Sequence, residues 1–168
     1  MQFATFAIRA WRVFSMMLVF GGVVYSYTLF SADVGIHFDE QGKPDEFMHK
    51  SDIFYLLVGI ILTNNVLIMA LARQLLKLPG HLLPIPHQAE WAAQRDLLNE
   101  HLQNWFYALI AMINTLVALT VLVLATVNSE FKYKIYDFTW LFYLVIFSLL
   151  VIIVALPIRL SIKPKAEE

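Results

Sequence analysis

The chain has no cysteine, and charge is scarce: 15% of its 168 residues are Asp, Glu, Lys or Arg. The missing thiols exclude disulfide frameworks, zinc-thiolate sites and cysteine nucleophiles. Soluble domains carry about 25% charged and about 45–50% apolar residues. Here 60% are apolar and the mean hydropathy is +0.66. A chain of this length cannot hide so much apolar surface in a single water-soluble core, and the composition equally excludes a disordered chain. A net charge of −1 with no basic patch argues against a nucleic-acid partner. The partner that this composition demands is a lipid bilayer.

A helix crosses a bilayer with about 20 mostly apolar residues. Four stretches meet that length, near 11–31, 52–75, 104–127 and 137–157. The expected fold is therefore an all-α bundle of four transmembrane helices forming one integral domain, with Pro157 expected to end the last span. The apolar run of the first stretch, from about Phe14, follows Arg9 and Arg12, as the apolar run of a signal peptide would. It ends Tyr27-Thr28-Leu29-Phe30-Ser31-Ala32, however, with bulky Phe30 where a small residue would precede a cut. We read it as a retained span.

The few charges are unevenly placed. Arg9, Arg12, Arg73, Lys77, Arg95, Arg159, Lys163 and Lys165 fall on one side, against Lys43, Lys50, Lys132 and Lys134 on the other. The excess of basic residues predicts that both termini and the 73–104 loop are cytoplasmic in a multi-pass protein of a bacterial inner membrane. Trp11 and Trp105 belong to the inner interface. Tyr25, Tyr27, Phe54, Tyr55, Tyr136 and Trp140 belong to the outer one.

Lipid gives helices no hydrophobic reason to associate, so small and polar residues mark their contacts. Ala108, Ala111, Thr115 and Ala118 share one face of the third span, and Ser15, Gly22 and Ser26 share one face of the first. Asn64 and Asn65 lie at the middle of the second span and Asn114 near the middle of the third. An unpartnered amide there is costly, so Asn64 or Asn65 is expected to bond to Asn114. The alternative, a polar pathway through the bundle, is disfavoured because no Asp, Glu, Lys, Arg or His lies in a span interior. The fourth span has only Ser148 and no small-residue stripe, which predicts a peripheral helix or one that faces a partner protein.

Two loops hold the remaining information. In the outer loop, 32–51, Val34, Ile36 and Phe38 alternate as in a strand, and Gln41-Gly42-Lys43-Pro44-Asp45 has turn chemistry. A small hairpin follows. His37, Asp39, Asp45 and His49 are metal-ligand types, but their spacing matches no closed site and Lys43 lies among them. No nucleophile or pocket accompanies the carboxylates, so neither a metal, a cofactor nor catalysis is expected. The inner loop, 76–103, opens with a stop at Leu78-Pro79-Gly80 and continues extended through Pro84 and Pro86. From Gln88 an amphipathic helix places Trp91, Leu98, Leu102 and Trp105 on one side. It lies on the inner surface or runs into the third span, as an interfacial anchor or a partner-docking surface.

The outer loop reads His37-Phe38-Asp39-Glu40-Gln41-Gly42-Lys43-Pro44-Asp45, then Lys50. It resembles the "HF-x-x-x-G-x-PD…K" loop of a bacterial membrane family of unknown function, a module shared with the immunity proteins against the sporulation-delay toxin. Pro84-Ile85-Pro86-His87 with Trp91 and Arg95 resembles a segment that follows the second span in short, four-span members. Glu90 stands where the family has tyrosine before Trp91, and Glu46-Phe47-Met48-His49 replaces a stretch of small or aromatic residues. The immunity proteins are also longer, with additional spans. The resemblance implies a non-enzymatic protein that senses a peptide or envelope stress, or confers immunity. In that reading His37, Phe38, Asp39, Gly42, Pro44, Asp45 and Lys50 form the outer recognition element, and Pro84, Pro86, His87, Trp91 and Arg95 form the inner one. The competing expectation is an accessory subunit of a larger membrane complex.

Overall fold

A computed structural model describes residues 3–130 (no side chain at 130) and 133–164. Lys132, Lys165, Glu167 and Glu168, which entered the charge balance, lie outside the described residues, as does the Glu130 side chain. The chain begins with helix α1 (Phe3–Leu29) and a hairpin of β1 (Asp33–Phe38) and β2 (Pro44–His49). Helix α2 (Lys50–Leu62) passes through a π turn (Thr63–Leu67) into α3 (Ile68–Lys77). A 3-10 turn (Gly80–Leu82) and α4 (Gln88–Ala93) lead to α5 (Arg95–Glu130). A second 3-10 turn (Ile135–Phe138) precedes α6 (Thr139–Leu160). Among the described residues, four helical stretches, with α2 to α3 counted as one, are long and apolar enough to cross a membrane.

Helix α5 is the axis of the bundle. Its buried Ala111, Ala118, Val121 and Ala125 alternate with half-buried neighbours at helical spacing. Helix α1 lies along it, with Gly22 against Ala118 and Val121. The Ser26 hydroxyl donates to the Val121 carbonyl at 3.2 Å. The small-residue faces legible in the sequence therefore do meet. Apolar side chains extend this seam to the hairpin, where Val34 and Phe30 are buried with Val19, Val23, Ile53 and Ile61.

Three details differ from the sequence expectation. Proline does not end the last span: α6 continues past Pro157 to Leu160. One proline near a helix end removes a single amide donor and leaves only the Ile153 carbonyl without its helical partner, a loss the helix end tolerates. The second span is one rod of helix, but with a π turn in its middle. The amphipathic helix is broken at Gln94 (φ −112°, ψ 53°), so α4 stands alone and α5 carries the rest directly into the third span. Helix α6 packs on α5 through one side and leaves most of its apolar side chains exposed, as its lack of small residues implies.

Candidate functional site

At one end of the bundle the hairpin is built almost wholly from the residues of the outer motif. Asp39 makes the turn: its Oδ1 accepts from the Gln41 amide at 2.9 Å and the Lys43 amide at 2.8 Å. Its backbone closes the turn, accepting from Gly42 N–H at 2.9 Å and donating to the Lys43 carbonyl at 2.9 Å. Gly42 sits at φ +79°, where an L side chain is strained, and the Lys134 side chain lies over it. Phe38 pairs with Pro44 across the strands, and a register shift between Gly35 and Phe38 bends the ribbon. His37 Nδ1 lies 2.5 Å from Asp45 Oδ1. That hydrogen bond, and then the charge of Asp45, raises the imidazole above its ordinary range. His49 caps α2, accepting from the Ser51 amide at 3.3 Å. Lys50 places its ammonium 5.1 Å from the Tyr27 ring centre. Asp39, His37 and Asp45 thus bond within the hairpin, and His49 bonds to the start of α2.

Residues outside the motif hold the hairpin to the bundle. Asn128, on the last turn of α5, reads Gly35 as a neighbouring strand would. Its Oδ1 accepts from Gly35 N–H at 2.8 Å and its Nδ2 donates to the Gly35 carbonyl at 3.1 Å. The Tyr136 hydroxyl donates to the Asp39 carbonyl at 2.8 Å. Sequence reasoning missed Asn128, whose only signal is an amide at the end of an otherwise apolar span.

The opposite end gathers the inner motif with both ends of the described chain. Trp91 is completely buried. Its indole N–H donates to the Leu160 carbonyl at 3.1 Å, and Arg159 lies 4.9 Å above its ring. Arg95 Nη2 donates to the Leu76 and Leu78 carbonyls, at 3.0 and 2.6 Å, and so closes the last turn of α3. The connection is not extended throughout, contrary to the sequence expectation: the Ile85 amide donates to the Leu83 carbonyl at 2.8 Å around Pro84, Pro86 and His87 form a turn, and Gln88 Nε2 donates to the His81 and Leu83 carbonyls. His87 takes φ +53° to start α4. Lys163 Nζ lies 3.0 Å from Glu90, and this bond first, then a backbone one, holds the Glu90 carboxyl below its usual range. Truncating an indole as buried as Trp91 costs about 3–5 kcal/mol. Trp91 and Arg95 are therefore anchors of the fold before anything else.

Midway along the bundle, Asn64 and Asn65 both reach Asn114. Asn114 Oδ1 accepts from Asn64 Nδ2 at 2.9 Å and from Asn65 Nδ2 at 2.8 Å, and Asn114 Nδ2 donates to Asn65 Oδ1 at 3.0 Å. Asn64 also donates to the Ile110 carbonyl at 3.0 Å. The three predicted groups therefore form three separate places. The hairpin and the inner motif lie at opposite ends of α5, about 50 Å apart at 1.5 Å per residue from Arg95 to Asn128, with the amides between them.

No protein-family model, curated protein or solved structure matches the chain.

Proposed function

We propose that this multi-pass membrane protein is a non-enzymatic recognition protein of the sensing or immunity type. Its hairpin end faces outward and meets an extracellular peptide or envelope factor; its basic end faces the cytoplasm. The observation that supports this most is the double hydrogen bond between Asn128 and Gly35. It joins an exposed hairpin rigidly to the central helix, which suits a surface that must keep one shape to be read. The loop's resemblance to the immunity module points the same way. The test is survival. Expression of the chain in a sensitive bacterium should raise the tolerated dose of a secreted peptide toxin of the sporulation-delay class. Gly42→Val should return that dose to the empty-vector value while the protein still accumulates in the membrane. No protection by the parent chain, or full protection by Gly42→Val, sinks this reading.

The exposed face of α6 favours a second reading, an accessory subunit of a larger membrane complex. Extraction from its own membrane in a mild detergent separates the two. A stoichiometric partner that crosslinks to α6 supports the subunit reading, and a chain recovered alone supports the first.

A further inference from the structure

The basic end holds a cleft that none of the preceding roles uses. It opens between α1 and α5, encloses about 650 Å³, and is graded along the helix axes. Arg9, Arg12, Gln103 and Tyr107 line its outer part, toward the helix starts. Val13, Met16 and Met17 line it deeper in the span. From Arg9 to Met17 the helix advances about 12 Å, the depth over which a bilayer passes from headgroup to acyl chain. The two arginines stand three residues apart, so they share a face. Arg12 is already positioned: its guanidinium lies 4.3 Å over the Tyr107 ring, and Gln103 Nε2 donates to the Tyr107 hydroxyl at 3.1 Å. Among the described residues no carboxylate pairs with either arginine. Two unneutralised guanidiniums beside an apolar trough complement one ligand, a phosphate that carries an alkyl chain.

We propose that this cleft binds an anionic phospholipid of the adjoining leaflet, with the phosphate on Arg9 and Arg12 and the first part of an acyl chain against Val13, Met16 and Met17. Guanidinium suits phosphate because its planar fork donates two parallel hydrogen bonds. Basic pockets between membrane helices hold anionic headgroups in this way. The inference rests on the chain spanning a membrane. It requires neither a direction of insertion nor any role for the hairpin.

The test uses the full chain, purified in a non-ionic detergent and titrated with phosphatidylglycerol or phosphatidylcholine while bound lipid is counted by native mass spectrometry. Phosphatidylglycerol should bind in preference to phosphatidylcholine. Each of Arg9→Gln and Arg12→Gln should weaken it about fivefold, the factor for one basic residue at an anionic leaflet. The double variant should weaken it more than either single variant, by a factor that departs from the simple product because both arginines share one phosphate. Arg73→Gln, outside the cleft, should change nothing. Arg12→Gln removes the contact with Tyr107, so Arg9→Gln, on an exposed position, carries the test if Arg12→Gln fails to fold. The proposal is overturned if Arg9→Gln binds phosphatidylglycerol as the parent does, or if the two lipids bind equally. It is also overturned if inorganic phosphate displaces phosphatidylglycerol at equal concentration, because the site would then read free phosphate.

Discussion

Gly35 and His37 show how closely single residues of the hairpin are specified. A Cβ on Gly35 would lie 2.4 Å from Pro44 Cβ and 3.2 Å from Asn128 Oδ1. Neither neighbour is free to give: Pro44 is a ring in the paired strand, and Asn128 is held by both Gly35 backbone groups and by the Leu124 carbonyl. Overpacking of this kind costs about 1–3 kcal/mol. Gly35→Ala should therefore release the hairpin from α5. Amide hydrogen exchange over 33–49 should accelerate while exchange in α1 and the rest of α5 is unchanged. Parent-like exchange over 33–49 would mean that the strands separate without cost.

His37 makes the same hairpin sensitive to pH. Asp45 raises the folded-state imidazole above its ordinary value of 6.5. A raised pKa means that the folded state holds the proton more tightly than the unfolded state does. The stabilisation is thus fully present below about pH 6.5 and is lost as pH rises through the raised value. Both side chains are largely exposed, so the effect is small and salt-sensitive. Exchange over 33–49 should quicken as pH rises above about 6.5, after correction for intrinsic rates. In His37→Gln it should follow the intrinsic rates alone. A parallel response in both proteins would remove His37 from the account.

At the scale of elements, the second span carries its two amides on a π turn. Neighbours in an α-helix point about 100° apart, and a π turn narrows that angle only modestly. The turn is closed by the bond from the Ile68 amide to the Thr63 carbonyl, and within it Asn64 and Asn65 reach Asn114 from either side. Each interhelical bond of this type is worth about 0.6 kcal/mol. Asn114→Leu breaks three of them and should destabilise the bundle by about 1–2 kcal/mol, read as a lower thermal midpoint in detergent. Asn64→Leu should cost less, because Asn65 keeps its partner. An unchanged midpoint in both variants would count against the amide cluster as a source of stability. The four spans and the hairpin were legible because period and apolar length report burial directly. The π turn was not, because its signal is two adjacent asparagines whose geometry depends on a third, 49 residues away. The break at Gln94 was also hidden, since apolar spacing runs through it unchanged. So was the role of Asn128, because an amide at a helix end looks like any solvated terminus until the hairpin is seen beside it.

At the scale of the whole molecule, the missing cysteines and the sparse charge combine into one experiment. The hairpin, with Asp39 and Asp45, closes one end of the bundle, while Arg95, Arg159 and Lys163 gather at the other. Only the basic residues near the span ends set the direction of insertion, and they are concentrated at the end opposite the hairpin. A cysteine placed at either end would be the sole thiol in the protein. Glu40, at the hairpin tip, and His81, in the inner connection, are both exposed, so either position accepts one without disturbing the core. In intact cells a membrane-impermeant maleimide should label Glu40→Cys. It should reach His81→Cys only after the cells are opened. The opposite pattern would invert the molecule and place the hairpin in the cytoplasm, where it could not meet an extracellular peptide. Labelling of both sites in intact cells would mean that the chain inserts in two directions. The charge asymmetry would then be too weak to orient the bundle, and mutating Arg73 and Lys77 together should not change the ratio. With a single orientation, the same pair of substitutions lowers the basic count at that end and should begin to label His81→Cys from outside.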